Sequence, residues 1–142
     1  MLVDAILQSK GVVVHTLPET GTLADAVAML NTHNIGAVVI TAAGGGIVGI
    51  LSERDIVRQL GKNPGGALDL PIASCMTRGV FTCSRDTPIN DVMERMTRYR
   101  IRHMPVAEDN ALIGIVSIGD VVKRKIEDVE QEALALREYI AS

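Results

Sequence analysis

The stretch GILSERDIV, residues 49–57, decides the fold, because it recurs as GIVSIGDVV at residues 114–122. The two stretches share a glycine, a serine and an aspartate at the same places, and most of the other matched positions are aliphatic. Self-similarity at a fixed offset indicates two copies of one supersecondary unit rather than two unrelated segments.

The similarity continues upstream of both stretches. Apolar residues at i, i+3, i+4 and i+7 begin at Leu23 and again at Ile89, so each copy is predicted to contain an amphipathic helix. The offset there is one residue longer, and the change falls between two short apolar runs, in residues 41–48 and 107–113. A length difference belongs in a surface turn, which supports this alignment.

Each copy is therefore predicted to be a β-α-β-β-α unit. In the first copy we expect a lead-in strand over 12–17, a helix over 23–33, strands over 37–41 and 47–51, and a second helix from about Ser52. In the second copy the corresponding predictions are 80–83, 89–99, 104–107, 112–116 and a helix from about Ser117. Residues 61–66 are predicted to be a linker and 70–74 a short connection.

A unit of about 50 residues buries too little surface to be stable alone. We therefore predict one α+β body of two pseudo-twofold-related repeats packed sheet to sheet, plus a C-terminal helix. The first repeat with its lead-in would cover 1–66, the second 67–126 and the helix 127–142.

Composition excludes several classes of protein. Of the 142 residues 47% are hydrophobic but only 2% aromatic, and the net charge is −3, so the chain has neither the basic excess nor the stacking residues of a nucleic-acid binder. No apolar run reaches the roughly 18–20 residues that span a bilayer, and the N-terminus lacks the pattern of a signal peptide. Cys75 and Cys83 form no metal-binding pattern and are interpreted as free thiols of a cytoplasmic protein, with a disulfide or redox switch as the alternative.

The repeated Ser-x-x-Asp motif is predicted to lie at a helix N-terminus. Unpaired backbone N–H groups and the helix dipole favour phosphate oxygens there. A carboxylate three residues later can accept hydrogen bonds from two neighbouring hydroxyls. The same motif is also an N-terminal capping box, and capping and binding can coexist.

The repeated unit, with G-h-h-[ST]-x-x-D at its last strand-to-helix junction, resembles the cystathionine-β-synthase (CBS) domain. Two such domains in tandem form a Bateman module, and the resemblance covers about residues 3–126. The segments RHMPV at 102–106 and ILQSKG at 6–11 are similar to small stand-alone bacterial members. The resemblance implies a cleft that binds AMP, ADP, ATP, S-adenosylmethionine or a dinucleotide such as NAD(H). It also implies that the bound ligand regulates another protein.

The resemblance also implies roles for individual residues. Each motif aspartate would hold a ribose diol, and Ile50 and Ile115 would contact adenine. Arg102 would face the Asp120 site and His103 the Asp55 site, while Lys10, matched by Arg78, resembles a phosphate contact. The full set of candidate nucleotide-binding residues is Lys10, His15, Ala37, Ile50, Ser52, Arg54, Asp55, Phe81, Arg102, His103, Ile115, Ser117 and Asp120.

Beyond Asp120 the chain runs without a helix breaker to Ile140, and apolar residues recur at alternating spacings of three and four. This tail is predicted to be a helix that packs on the body or on a second subunit, with an exposed charged tail as the alternative. The resemblance implies a C₂ homodimer.

No P-loop, GxSxG motif or nucleophile with a placed base is present, so we expect a regulatory module without catalytic activity or a metal. The alternatives are an enzyme, which would turn over ATP or NAD, and a structural adaptor with vestigial nucleotide sites.

Overall fold

The computed structural model describes residues 1–142 and contains six α-helices and five strands. In chain order they are α1 (Val3–Lys10), β1 (Thr16–Pro18), α2 (Leu23–His33), β2 (Ala37–Thr41), β3 (Ile47–Ser52), α3 (Glu53–Lys62), α4 (Ile72–Cys75), α5 (Ile89–Tyr99), β4 (His103–Glu108), β5 (Ala111–Ser117) and α6 (Ile118–Ala141). A 3₁₀ turn, Ala67–Asp69, precedes α4. The predicted fold class is confirmed, and the predicted helices α2 and α5 have the expected bounds.

The two repeats have equivalent hairpins. β2 pairs with β3 antiparallel, with Val39 opposite Ile50, and β4 pairs with β5 antiparallel, with Pro105 opposite Ile115. Each hairpin has a register shift just before its turn, where the repeats also differ in length.

The predicted lead-in strands are largely wrong. β1 covers only Thr16–Pro18 and pairs with β2 in parallel, while the second repeat has a single bridge between Cys83 and Val106 at the corresponding place. Val12 and Val13 are 52% and 74% exposed, so no core contact holds them in a sheet. The predicted connection 70–74 also differs, since it contains the short helix α4.

The two hydrophobic cores exchange their leading helices. Val3, Ile6 and Leu7 of α1 are buried in a core with α5, β4 and β5, which belong to the second repeat. Ile72 and Cys75 of α4 are buried with α2, β2 and β3 of the first repeat. The expected division at residues 66 and 67 therefore follows the sequence order but not the packing.

Helix α6 continues through the predicted boundary at residues 126 and 127 without interruption. Val121 near its start is buried, whereas every residue from 129 to 142 is exposed. No helix of the structure is both long enough and apolar enough to cross a bilayer.

Candidate functional site

The first Ser-x-x-Asp motif forms a complete capping box at the start of α3. The Ser52 backbone N–H donates to Asp55 Oδ2 at 2.9 Å, and the Asp55 N–H donates to Ser52 Oγ at 3.4 Å. The serine hydroxyl also donates to Asp55 Oδ2 at 3.1 Å. The capping interpretation of the motif is thus confirmed.

Asp55 is the one buried charged residue of the chain, with 9% of its surface exposed. Its second oxygen has only distant partners, Thr77 Oγ1 at 3.5 Å and Arg58 Nη1 at 3.9 Å. The Thr77 backbone exchanges hydrogen bonds of 2.9 and 3.0 Å with Ile50, so the segment after α4 lies along β3. Asp55 Oδ1 can therefore accept further hydrogen bonds, and it faces the hydroxyl group of Thr77.

The second motif forms the same box at the start of α6. The Ser117 N–H donates to Asp120 Oδ2 at 2.8 Å, and the Asp120 N–H donates to Ser117 Oγ at 3.2 Å. Lys10, the last residue of α1, donates to Asp120 Oδ2 at 2.7 Å and to the Ile115 carbonyl oxygen at 3.0 Å. Four candidate residues of the second repeat's site are thereby brought together.

The surroundings of Asp120 affect its ionisation. Burial acts to raise the pKa of this carboxyl, but hydrogen bonds from Lys10 and Ser117 outweigh burial and hold the pKa below its usual value. Asp120 is therefore an anion whose charge Lys10 already balances.

His103, at the start of β4, lies against the first repeat. A Cβ built on Gly36 would be 3.2 Å from His103 Nε2 and 3.7 Å from Glu53 Oε1, so the imidazole sits at the N-terminus of α3. Burial is the main cause that lowers the pKa of His103, and the charge of Glu53 opposes it. A larger residue than glycine at position 36 would displace this ring.

The two candidate arginines lie at the solvent side of these sites. Arg54 and Arg102 are both exposed. The Arg102 carbonyl accepts a hydrogen bond from the Ile118 N–H at 2.8 Å, just as the Gly36 carbonyl accepts from the Glu53 N–H at 3.0 Å. These equivalent bonds fix the start of each motif helix to the strand that precedes the hairpin turn.

The candidate adenine contacts lie on the hairpins. Ile50 and Ile115 are half-buried, and Ala37 is buried opposite Ser52. Ile50 and Ile115 thus lie in the strands that end at the motif serines, and Ala37 lies in the strand that pairs with the first of them.

Phe81 and His15 each stack on another ring of their own repeat. The Phe81 ring stacks on Tyr99 with centroids 4.2 Å apart, and the His15 ring stacks on His33 at 3.6 Å. The two stacks occupy equivalent places in the repeats. Neither ring makes a hydrogen bond to a motif serine or aspartate.

A cavity of about 420 Å³ opens between the hairpin turns of the two repeats, and none of the candidate nucleotide-binding residues lines it. It is lined by Gly46, Ile47, Val48, Gly79, Val80, Thr82, Ala107 and Asn110. Val48 lies two residues before Ile50, and Gly79 lies two residues after Thr77, which is bridged to Ile50. The cavity therefore lies beyond this bridge, on the side away from Asp55. Its volume falls in the range of small-molecule pockets.

Thr77, Glu53 and Gly36 were not among the predicted site residues. The predicted counterpart of Lys10 is Arg78, but the Arg78 guanidinium donates to the Ala73 carbonyl at 3.3 Å, and Thr77 is the residue that approaches Asp55. Keeping the 66-residue offset through the lead-in would have pointed to Met76 and Thr77.

Other reactive groups lie apart from these sites. Cys75 and Cys83 are free and buried in different cores, and burial, partly opposed by the charge of Arg95, raises the pKa of Cys83 to about 11. No group of three or more His, Cys, Asp or Glu side chains is placed to hold a metal ion.

Comparison with known proteins adds a family to this geometry. The model of the CBS domain matches residues 8–62 and again 72–127. A mitochondrial CBS domain-containing protein of Arabidopsis thaliana is 35% identical over 123 residues, which are 84% of this chain and 60% of the relative. The chain therefore spans about three fifths of that relative's length.

Solved structures agree over most of the chain. A CBS-domain containing protein of Agrobacterium tumefaciens has 39% identity and a TM-score of 0.85, covering 87% of this chain and 92% of that one. The CBS domain pair of protein MJ0100, in complex with 5-methylthioadenosine and S-adenosyl-L-methionine, has 29% identity and a TM-score of 0.80, covering 90% and 98%. A CBS domain protein of Pyrobaculum aerophilum complexed with AMP has 29% identity and a TM-score of 0.75, covering 84% and 89%.

Proposed function

Because this chain belongs to the CBS domain family, we propose that it is a non-catalytic regulatory module that binds an adenine nucleotide between its two repeats. The observation that carries the proposal is the paired Ser-x-x-Asp motif, placed in each repeat at a helix N-terminus and beside a segment of the other lead-in. The complexes of similar domain pairs with AMP and with S-adenosyl-L-methionine support this ligand class.

The chemistry of the two sites suits a nucleoside with a phosphate or another polar extension. The free acceptor capacity of Asp55 suits a ribose diol, and the N–H groups at the start of α3 suit phosphate oxygens. Ile50 and Ala37, on the paired strands β3 and β2, would supply apolar surface for a purine. His103, which lies against the start of α3, and Arg54, in the first turn of that helix, would be the phosphate contacts at this site.

At the Asp120 site, Lys10 and the Ser117 N–H share the carboxylate oxygen Oδ2, and Oδ1 has no hydrogen-bond partner within the chain. A diol that uses both oxygens would compete with the ammonium group of Lys10 here, but only with the neutral Ser52 hydroxyl at Asp55. We therefore propose that the Asp55 site fills first and with higher affinity.

The proposal is tested by asking which nucleotide stays with the protein and which stabilises it. Native mass spectrometry of the purified chain would report co-purifying ligand, and thermal unfolding would be followed with AMP, ADP, ATP, NAD, S-adenosylmethionine and 5-methylthioadenosine. A ligand that binds only the folded protein raises the free energy of unfolding by RT ln(1 + [L]/Kd), so the melting temperature continues to rise with ligand concentration. No shift with any member of this panel would favour the structural adaptor, and product formation from ATP or NAD would favour an enzyme.

Variants then separate binding from capping. Asp55→Ala is expected to abolish the ligand-induced shift and to lower the stability of the free protein by about 1 kcal/mol, the usual cost of a lost cap. Asp25→Ala is the matched control, because Thr22 and Asp25 form a third capping box at α2 outside both motifs. Equal loss of ligand response in both variants would contradict the site assignment. In Asp120→Ala, most of the ligand-induced shift is expected to persist, and its complete loss would contradict the proposed preference for the Asp55 site.

We also propose that the module works as a homodimer and passes occupancy to another protein. A ligand changes that protein's activity only if it binds the two states of the module with different affinity.

A further inference from the structure

The end of helix α6 is an unpartnered amphipathic surface. Leu136, Tyr139 and Ile140 are 59%, 79% and 74% exposed, although they continue the same helix that packs on the body near Val121. Helices in proteins gain most of their stability from packing an apolar face. A face this apolar at the end of a rigid helix calls for a partner.

One side of this tail, residues 129–140, forms a narrow apolar seam. Val129, Ala133, Leu136 and Ile140 lie on one line, since their spacings are four, three and four. Glu130 and Glu132 flank the seam, and neither forms an ion pair within the chain. Arg137 lies on the same edge as Glu130, seven residues further on, so the edges carry two glutamates against one arginine and remain net negative.

The second repeat carries a surface of the opposite character, which we call the α5 patch and define by Phe81, Arg95, Arg98 and Tyr99. The three α5 residues share one helix face, because they are spaced by three and four. The Phe81 ring stacks on Tyr99, and Arg95 donates to the Thr82 carbonyl at 3.0 Å, so the four side chains adjoin one another. Phe81 and Tyr99 are 39% and 44% exposed.

The charge of the patch complements the charge of the tail. Residues 94–102 contain four arginines against one glutamate, and Glu94 pairs only with Arg98, at 2.6 Å. Arg95 has no carboxylate partner, and its guanidinium donates to the carbonyl of Thr82, the residue that follows Phe81. The apolar seam of the tail can pack on the aromatic rings of the patch, and the acidic edges of the tail can pair with the arginines of the patch.

We propose that the α6 tail of one copy of this chain docks on the α5 patch of a second copy. The tail does not cover its own patch, since α6 is continuous and both surfaces are exposed in one chain. Exchange of tails gives two identical contacts related by a twofold axis, which closes a dimer. This interface goes beyond the nucleotide-binding proposal and does not depend on it.

The test measures dimer dissociation of the full chain by sedimentation equilibrium. Leu136→Asp is expected to weaken the dimer at least about tenfold, which corresponds to about 1.4 kcal/mol. Leu134→Asp is the matched control, because Leu134 is equally exposed on the same helix but lies away from the seam. Circular dichroism would verify that both variants stay folded. A monomeric wild-type chain, or equal effects of the two substitutions, would overturn the proposal.

Charge reversal identifies the two surfaces. We expect the dimer dissociation constant to rise about tenfold in each of two double variants tested alone. One variant is Arg95→Glu/Arg98→Glu in the patch, and the other is Glu130→Arg/Glu132→Arg in the tail. A mixture of these two variants is expected to form a heterodimer, since each tail then meets a patch of opposite charge. A patch variant that dimerises like the wild type would overturn the proposal, because it would show that the tails pair with each other or with another surface.

Discussion

Asp55 and Asp120 occupy equivalent places in the two repeats, but their carboxylates have different partners. Asp120 forms an ion pair with Lys10 at 2.7 Å, whereas the nearest cation to Asp55 is Arg58 at 3.9 Å. Asp55 is also the more buried of the two, with side-chain exposures of 11% and 24%. The duplicated motif therefore yields two chemically distinct sites, because the segments that face it are not duplicated faithfully.

His103 is the residue that should make the stability of the protein depend on pH near neutrality. Burial lowers the pKa of His103, with further lowering by Lys10 and Arg102, against the charges of Glu53 and Asp120. The unfolded chain takes up a proton near pH 6.5 while the folded protein does not. The contribution of His103 to stability is therefore complete above pH 6.5 and is lost as the pH falls from there through the folded-state pKa.

We expect His103→Gln to flatten this part of the stability profile. Urea unfolding of both proteins at several pH values between about 7.5 and 5 would measure it. The difference in unfolding free energy between variant and wild type should grow in favour of the variant as the pH falls. A difference that stays constant with pH would contradict the assigned burial of the imidazole.

The site residues that could be predicted from sequence are those in the repeated motif. Ser52, Asp55, Ser117 and Asp120 were found because duplication and helix capping both mark them. Thr77 was missed because its role depends on which residue of the lead-in lies beside Ile50, and that register is set by the packing of α4. The stacks of Phe81 and His15 have no local signature either.

At the scale of elements, the glycine that opens each motif has a packing role. A Cβ built on Gly49 would lie 2.5 Å from Met76 Sδ and 3.1 Å from the Thr77 carbonyl oxygen. A Cβ built on Gly114 would lie 2.8 Å from Leu7 Cδ2. Because Gly49 has no side chain, Met76 and Thr77, which follow α4, can approach β3. Because Gly114 has none, Leu7 of α1 can approach β5.

Gly49→Ala is accordingly expected to destabilise the protein by about 1–3 kcal/mol, the usual cost of overpacking. Gly114→Ala should cost less, since only the end of the flexible Leu7 side chain must move. Gly44→Ala is the control, because its Cβ would meet open space in the β2–β3 turn. Thermal or urea unfolding measures the series. A cost for Gly49→Ala no larger than that for Gly44→Ala would show that the Met76 contact relaxes freely.

The elements that sequence reasoning placed well are those with a strong period. Helices α2 and α5 carry complete apolar stripes, and the four hairpin strands are short apolar runs beside turn residues. The prediction of the lead-in strands was largely wrong because Val12 and Val13 are residues typical of strands, yet both side chains are exposed and contact no core. α1 carries only one turn of such a stripe, Val3, Ile6 and Leu7, and its own repeat offers this stripe no partner, since the residues that bury it lie about a hundred positions away.

At the scale of the whole molecule, the exchange of α1 and α4 interlocks the two repeats. Each core is completed by a helix that the chain order assigns to the other repeat or to the linker. Neither repeat is therefore expected to fold alone, and equilibrium unfolding should be a single transition. Movement of Lys10 upon ligand binding would act directly on the second core, because the same helix holds Leu7 there.

Native-state hydrogen exchange distinguishes this exchanged packing from the sequence-order division. Leu7→Ala should cost about 2–5 kcal/mol as a large-to-small core change. It is expected to reduce amide protection mainly in α5, β4 and β5. Met76→Ala, its counterpart in the other core, should reduce protection mainly in α2, β2 and β3. If Leu7→Ala instead loosened β2 and β3 first, α1 would belong to the repeat it precedes, and the coupling from Lys10 to the second core would lose its physical basis.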